Sequence, residues 1–138
     1  MINPKIVNFI NKHHLLTLAT SCENKPYCAS CFFVFEQEVP CFIIATDEKT
    51  RHGSEALLNP RVAGTIALET NMVGKIQGIQ FNGTFRVATV GEKMTYFKRF
   101  PYALAMNPSL WSIDIETMKF TDNTLGFGKK LEYLKSQS

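Results

Sequence analysis

Six short runs of β-branched and aromatic residues, separated by turn-forming residues, constrain this chain more than any other feature of its 138 residues. The runs read LLTLATS, YCASCFFVFEQ, VPCFIIATD, VAGTIALET, KIQGIQFNGTFRVATV and LWSIDIETMKFTD. The CENKP between the first two supplies turn chemistry and predicts a hairpin. Only three helical patterns interrupt them. The first covers residues 4–11, with Asn3 as cap and Pro4 at the first helical position; the second covers 51–58, and the third covers 92–100 and is stopped by Pro101. So many strands with so few helical residues predict a mainly β fold, a small six-stranded β-barrel with short helices as plugs. Gly78 and Gly83 lie inside the longest run, where glycine marks a bulge or a barrel corner.

The length suits one domain over residues 1–138, and no linker, repeat or low-complexity stretch divides it. With 45% apolar and 20% charged residues the chain can bury a core, and its net charge of +3 is scattered and gives no support to nucleic-acid binding. No apolar run approaches the roughly 18 residues that a bilayer requires, and the amino end lacks a secretory pattern, so a cytoplasmic protein with no membrane partner is expected. In that compartment Cys22, Cys28, Cys31 and Cys41 are expected as free thiols. Cys28 and Cys31 form a C-x-x-C, but within a strand residues three apart face opposite sides, and no second pair completes a zinc site. His13 and His14 have no partner spacing for catalysis or metal. Trp111 is expected in packing, and Arg99 at the carbonyls that end its helix.

The chemistry concentrates in FIIATDEKTRHGSEALLNPRVAGTI. An apolar strand ends at Ala45, and Thr46, Thr50, Arg51 and His52 follow, with a helix starting near Gly53 and Ser54. A phosphate monoester calls for hydroxyl donors, a guanidinium and helix N-terminal amides, and this turn carries all three; a solvated loop with a Thr cap is the simpler reading of the same residues.

That segment resembles the phosphate-binding segment of the pyridoxamine 5′-phosphate oxidase-like split-barrel flavoproteins. IQGIQFNGTFR, RFP, LWSIDIETMKFTDN and TLGFGKK are similar to the YhbP-like branch of that superfamily. The resemblance implies a split barrel that forms a homodimer, with flavin mononucleotide (FMN) in two clefts between the subunits. It places Cys28, Ala29, Ser30, Cys31 and Phe32 beside the flavin, and Ala45, Thr46, Thr50, Arg51 and His52 at the phosphate. His52 departs from the family's usual lysine and brings titration near its ordinary pKa of about 6.5. Gln77 and Gln80 are both candidates for the ring edge, with Gln80 favoured by face. In the tail, Asn123, Phe127, Lys129 and Lys130 are candidates to fold toward the cleft, with a frayed basic terminus as the simpler reading.

No Ser-His-Asp set, carboxylate pair or metal cluster is legible, so the implied activity is that of an FMN-dependent oxidoreductase, flavin reductase-like, with an unassigned redox substrate. The residues by which pyridoxamine phosphate oxidases recognise substrate are not recognisable. Two alternatives stand beside this reading: a haem-binding or haem-degrading split barrel, with Arg51 and His52 on propionates, and a non-enzymatic FMN-binding module.

Overall fold

The structure is a computed structural model that describes residues 1–126 and 129–135. Its elements run α1 (Pro4–Asn11), β1 (Leu15–Cys22), β2 (Lys25–Glu36), β3 (Cys41–Ala45), α2 (Arg51–Leu58), β4 (Arg61–Ala67), β5 (Gln77–Val87), α3 (Val90–Arg99), β6 (Leu110–Asp122) and β7 (Lys130–Leu134). Short 3₁₀ turns lie at Val73–Lys75, Pro101–Met106 and Asn123–Leu125.

Every strand pairing is antiparallel. The order β3-β2-β1-β4-β5-β6 closes when β3 pairs with β6, which makes the predicted six-stranded barrel. The β1–β2 hairpin turns on Glu23 and Asn24, both at positive φ, as a two-residue turn matched to strand twist demands. β6 is long enough to serve two neighbours on one edge. Its first half pairs with β3 (Leu110 to Ala45, Asp114 to Cys41), and its second half pairs with β7 (Thr117 to Leu134, Thr121 to Lys130). β7 is a seventh strand absent from the sequence reading, which offered the tail either as a segment folding toward a cleft or as a frayed basic terminus. A register shift at Asn82/Gly83 bears out the bulge expected there. A Cβ on Gly83 would lie 2.1 Å from the Asp114 carbonyl oxygen, so only glycine fits this approach of β5 to β6.

Alternation places Leu16, Leu18, Phe33, Phe42, Ile79 and Ile113 inside the barrel, all fully buried. α1 turns Ile6, Phe9 and Ile10 into this core, and its start is capped where the Asn3 side chain accepts from the Lys5 amide. α3 covers the outer face of β2, β3 and β6, burying Tyr96 over a second cluster of Val34, Cys41, Ile43 and Leu110.

An ion network pins α3. Arg86 donates from Nε and Nη2 to Asp114 (2.7 and 2.9 Å) and from Nη1 and Nη2 to Glu92 (both 2.8 Å). Glu92 also accepts from the Thr89 amide, closing a capping box, from Ser112 Oγ and from the Cys41 thiol. Chiefly through Arg86, these donors hold the Glu92 carboxyl well below the usual carboxylate range. Burial, followed by the adjacent Glu92, pushes the Cys41 thiol up to about 12 and leaves it unreactive.

The outer face of β1, β4 and β5 is left uncovered. Pairing register aligns one row across it, Ser30–Thr17–Thr65–Gln80–Lys119–Glu132, and a second row, Cys28–Ala19–Ala63–Asn82–Thr117–Leu134. All of these residues are exposed or half-buried, and most are small.

Candidate functional site

β3 ends at Ala45, and the chain turns through Thr46 into α2. Thr46 is buried and held on three sides. Its amide donates to the Ser109 carbonyl (3.1 Å), its carbonyl accepts from the Trp111 indole N–H (3.0 Å), and its hydroxyl shares a 2.5 Å hydrogen bond with His52 Nε2. Thr50 caps α2, accepting from the Gly53 amide (3.1 Å) and donating to the Asp47 carbonyl (2.6 Å). The turn is tight enough that a Cβ on Gly53 would sit 2.3 Å from the Asp47 carbonyl oxygen.

His52 differs from the expectation that it would titrate near its ordinary value. Burial lowers its pKa, so at neutral pH the ring is uncharged and offers a hydrogen bond, not a cation. A histidine with a lowered folded-state pKa adds stability that is complete above its ordinary pKa and is lost as pH falls through the folded value. The His52 ring, followed by NMR in the ligand-free protein, is therefore expected to titrate below about 6.5. A midpoint above that would show that the turn favours the imidazolium.

Arg51 does not point at Thr46. Its Nε donates to Glu55 Oε2 (3.3 Å), and its guanidinium lies 4.0 Å from the centroid of the Tyr27 ring. Glu55 in turn accepts from Thr20 Oγ1 (2.9 Å), a hydroxyl inside the barrel end. α2 is thus seated on β1 and β2 through Arg51, Glu55 and Tyr27, and through Asn59 Nδ2, which donates to the Ser21 carbonyl (2.9 Å).

Beside this turn β2 has an open edge. β3 pairs with β2 only from Phe33 onward, which leaves residues 25–31 without a strand on that side among the described residues. The Phe33 amide donates to the His14 carbonyl on the β1 side, so by alternation the main-chain groups of Cys28 and Ser30 point to the open side. Extending the β2–β3 register by one pair sets Phe32 across from Ala45, so this edge runs directly into the turn. Cys28, Ser30 and Phe32 are exposed, Ala29 is half-buried, and Cys31 faces the core, where burial raises its thiol to about 11. The C-x-x-C is therefore split between two faces. Among the described residues no group of three or more His, Cys, Asp or Glu is placed to hold a metal.

The remaining candidates lie elsewhere in the chain's own fold. Gln80 is exposed on the uncovered face, whereas Gln77 is half-buried on the opposite face, as strand alternation predicts. Gln77 pairs with Asp122 and Ala45 with Leu110, at opposite ends of the thirteen-residue β6, roughly 40 Å of strand apart. Lys129 is exposed at the Gln77 end, where its carbonyl accepts from the Asp122 amide (3.4 Å). Asn123 Nδ2 donates to the Val73 carbonyl (3.1 Å), and Phe127 lies outside the described residues. The fold thus gathers Cys28, Ala29, Ser30, Phe32, Ala45, Thr46, Thr50 and His52 in one region, with Arg51 at its margin, and places Gln77 and Lys129 away from it.

Sequence reasoning missed Trp111 as the anchor of Thr46, and Tyr27, Thr20 and Glu55 as the surroundings of Arg51. Only the Arg51–Glu55 spacing of four on a helix carried a local signal. Arg99 likewise serves another element, donating to the His13 carbonyl beyond α1 (2.9 Å) and not to its own helix end. A cavity of about 370 Å³, lined by Lys93, Phe97, Ser109 and Trp111 among others, adjoins the turn. A cavity of about 820 Å³ sits at the other end of β3, lined by Gln37, Pro40, Asp114 and Tyr133 among others, far from these groups.

Solved structures share this architecture. A conserved hypothetical protein of Mycobacterium tuberculosis superposes with a TM-score of 0.73 at 16% identity, covering 94% of this chain and 90% of that one. A haem-binding protein of Mycobacterium smegmatis gives 0.72 at 13% identity over 91% of this chain and 54% of its own. A FAD-binding protein of Mesorhizobium loti gives 0.69 at 11% over 86% and 90%. These likenesses establish the split-barrel fold. No family model matches the sequence. A UPF0306 protein of Photorhabdus laumondii is 40% identical over 131 residues, 91% of each chain. At that identity over nearly the whole length of both chains, this chain belongs to the UPF0306 family.

Proposed function

We propose that this protein is an FMN-binding flavoprotein of the pyridoxamine 5′-phosphate oxidase-like superfamily, in its YhbP-like branch, acting as an oxidoreductase of flavin reductase type. The observation that carries the reading is the open β2 edge at Cys28 and Ser30 running into the Thr46–His52 turn. An unpaired strand edge offers alternating amide donors and carbonyl acceptors, the complement of the pyrimidine rim of an isoalloxazine. The turn beside it offers a phosphate the outer fork of the Arg51 guanidinium and one donor of the Thr46–His52 pair, while the Thr50 hydroxyl is already engaged with the Asp47 carbonyl. The residues fit the group. When bound, the flavin supplies the electron transfer, and the chain's part is to bind and orient it and to exclude water.

A second copy belongs to this proposal. Gln77 and Lys129 are too far from the turn to join it within one chain, and the flat face of Thr17, Ala63, Thr65 and Gln80 is a surface on which a two-fold partner can bring its own copies of them. The neighbour described as haem-binding supports a second reading, in which the same basic margin takes propionates.

One preparation tests all of this. The purified protein is mixed with FMN or hemin, desalted, and examined by absorption and light scattering. A dimer that retains a band near about 450 nm is expected. A Soret band with no flavin retained would transfer the site to haem, and a monomer at micromolar concentration would remove the interface from the reading.

A further inference from the structure

We infer that Glu55 and Tyr27 form a cradle that presents the outer fork of Arg51 to an oxyanion, which makes Glu55 a positioning residue despite its negative charge. The inference rests on the oxyanion reading of the turn and deepens it. A guanidinium has one Nε–H, two flat faces and a fork of Nη donors. Here the Nε–H is taken by Glu55 Oε2 at 3.3 Å, and one face lies 4.0 Å from the Tyr27 centroid. The Nη atoms have no acceptor among the described residues, and the side chain is 53% exposed. What remains is a planar two-pronged donor already oriented, the geometry that binds phosphate or carboxylate through two parallel hydrogen bonds.

The carboxylate that does the orienting is itself fixed. The Glu55 side chain is only 12% exposed, and its Oε1 accepts from Thr20 Oγ1 at 2.9 Å, a hydroxyl 2% exposed at the end of the barrel. An ordinary surface pair four residues apart on a helix holds neither partner still. In this one, β1 holds Glu55 and Glu55 holds Arg51, so less side-chain freedom is lost when an anion arrives.

Positioning and simple neutralisation predict opposite signs. If Glu55 only cancels the charge of Arg51, then Glu55→Gln frees a cation and tightens anion binding. If it aims the fork, the same change loosens binding although it removes a negative charge. FMN and riboflavin are titrated against wild type, Glu55→Gln, Thr20→Val and Arg51→Ala. Hemin is a further arm, because a propionate would use the same fork. Glu55→Gln is expected to weaken FMN by about three- to tenfold, the worth of one hydrogen bond, and to leave riboflavin unchanged. Thr20→Val, which leaves both charges in place, is expected to weaken FMN in the same direction, and Glu55→Gln is expected to add nothing to Arg51→Ala. If hemin shows this pattern and FMN does not, the cradle stands with a carboxylate as its ligand. Tighter or unchanged FMN binding in Glu55→Gln, with Arg51→Ala still weakening it, overturns the cradle alone. A wild type that binds FMN no better than riboflavin, with Arg51→Ala and hemin both without effect, overturns the oxyanion reading and the cradle with it.

Discussion

Arg51→Ala is expected to weaken FMN binding by about one to two orders of magnitude while leaving riboflavin almost unaffected, because a charge-assisted contact to a phosphate is worth about 1.5 to 3 kcal/mol. Arg51 is half exposed, which lowers the contribution of its charge. Its loss also strips Glu55 of a partner and leaves that carboxylate beside the incoming dianion, which raises the cost again. The ratio of FMN to riboflavin affinity isolates the phosphate from the ring. Equal loss for both ligands would mean that Arg51 supports the fold of α2 and does not meet the phosphate.

The second large effect is on stability. Glu92→Gln keeps the shape of the side chain but turns an amide toward Arg86 and the Cys41 thiol, which are donors. The Glu92 and Arg86 side chains are 13% and 31% exposed, so solvent shields the broken pair only partly. Removing one partner of a fully buried pair costs about 3 to 5 kcal/mol; with this exposure about 2 to 3 kcal/mol is expected. For a domain of this size that lowers Tm by roughly 6 to 15 °C. The pH dependence follows from the direction of the Glu92 shift. Its folded-state pKa lies below the unfolded one, so its contribution is complete above the ordinary carboxylate pKa of about 4.5 and is lost as pH falls through the folded value. Urea midpoints should separate wild type from variant most at pH 7 and converge in acid. A gap independent of pH would show that shape, and not charge, holds α3.

Most of the residues brought to the turn and the open edge were readable because their signals are local. Thr50 sits three residues before the amide it caps, Thr46 follows an apolar run, and Cys28 to Phe32 occupy a strand whose alternation is plain. Trp111 was not readable as part of the site, because its bond to the Thr46 carbonyl spans 65 residues and leaves no periodic trace. The lowered pKa of His52 was not readable for a related reason: the sequence supplies the ring, but its burial comes from packing.

By itself the sequence determined the six barrel strands and the three helices. The bounds of α1, α2 and β6 follow from caps and alternation carried by adjacent residues. The tertiary structure alone decided how those segments meet. It closed the barrel through β3 and β6, drew the tail onto β6 as β7, and stopped β3 short along β2 so that an edge beside the turn stayed open. The physical reason is range: capping and alternation act over two to four residues, whereas closure and edge pairing are settled by backbone hydrogen bonds between strands far apart in the chain, to which many different side-chain patterns are equally suited.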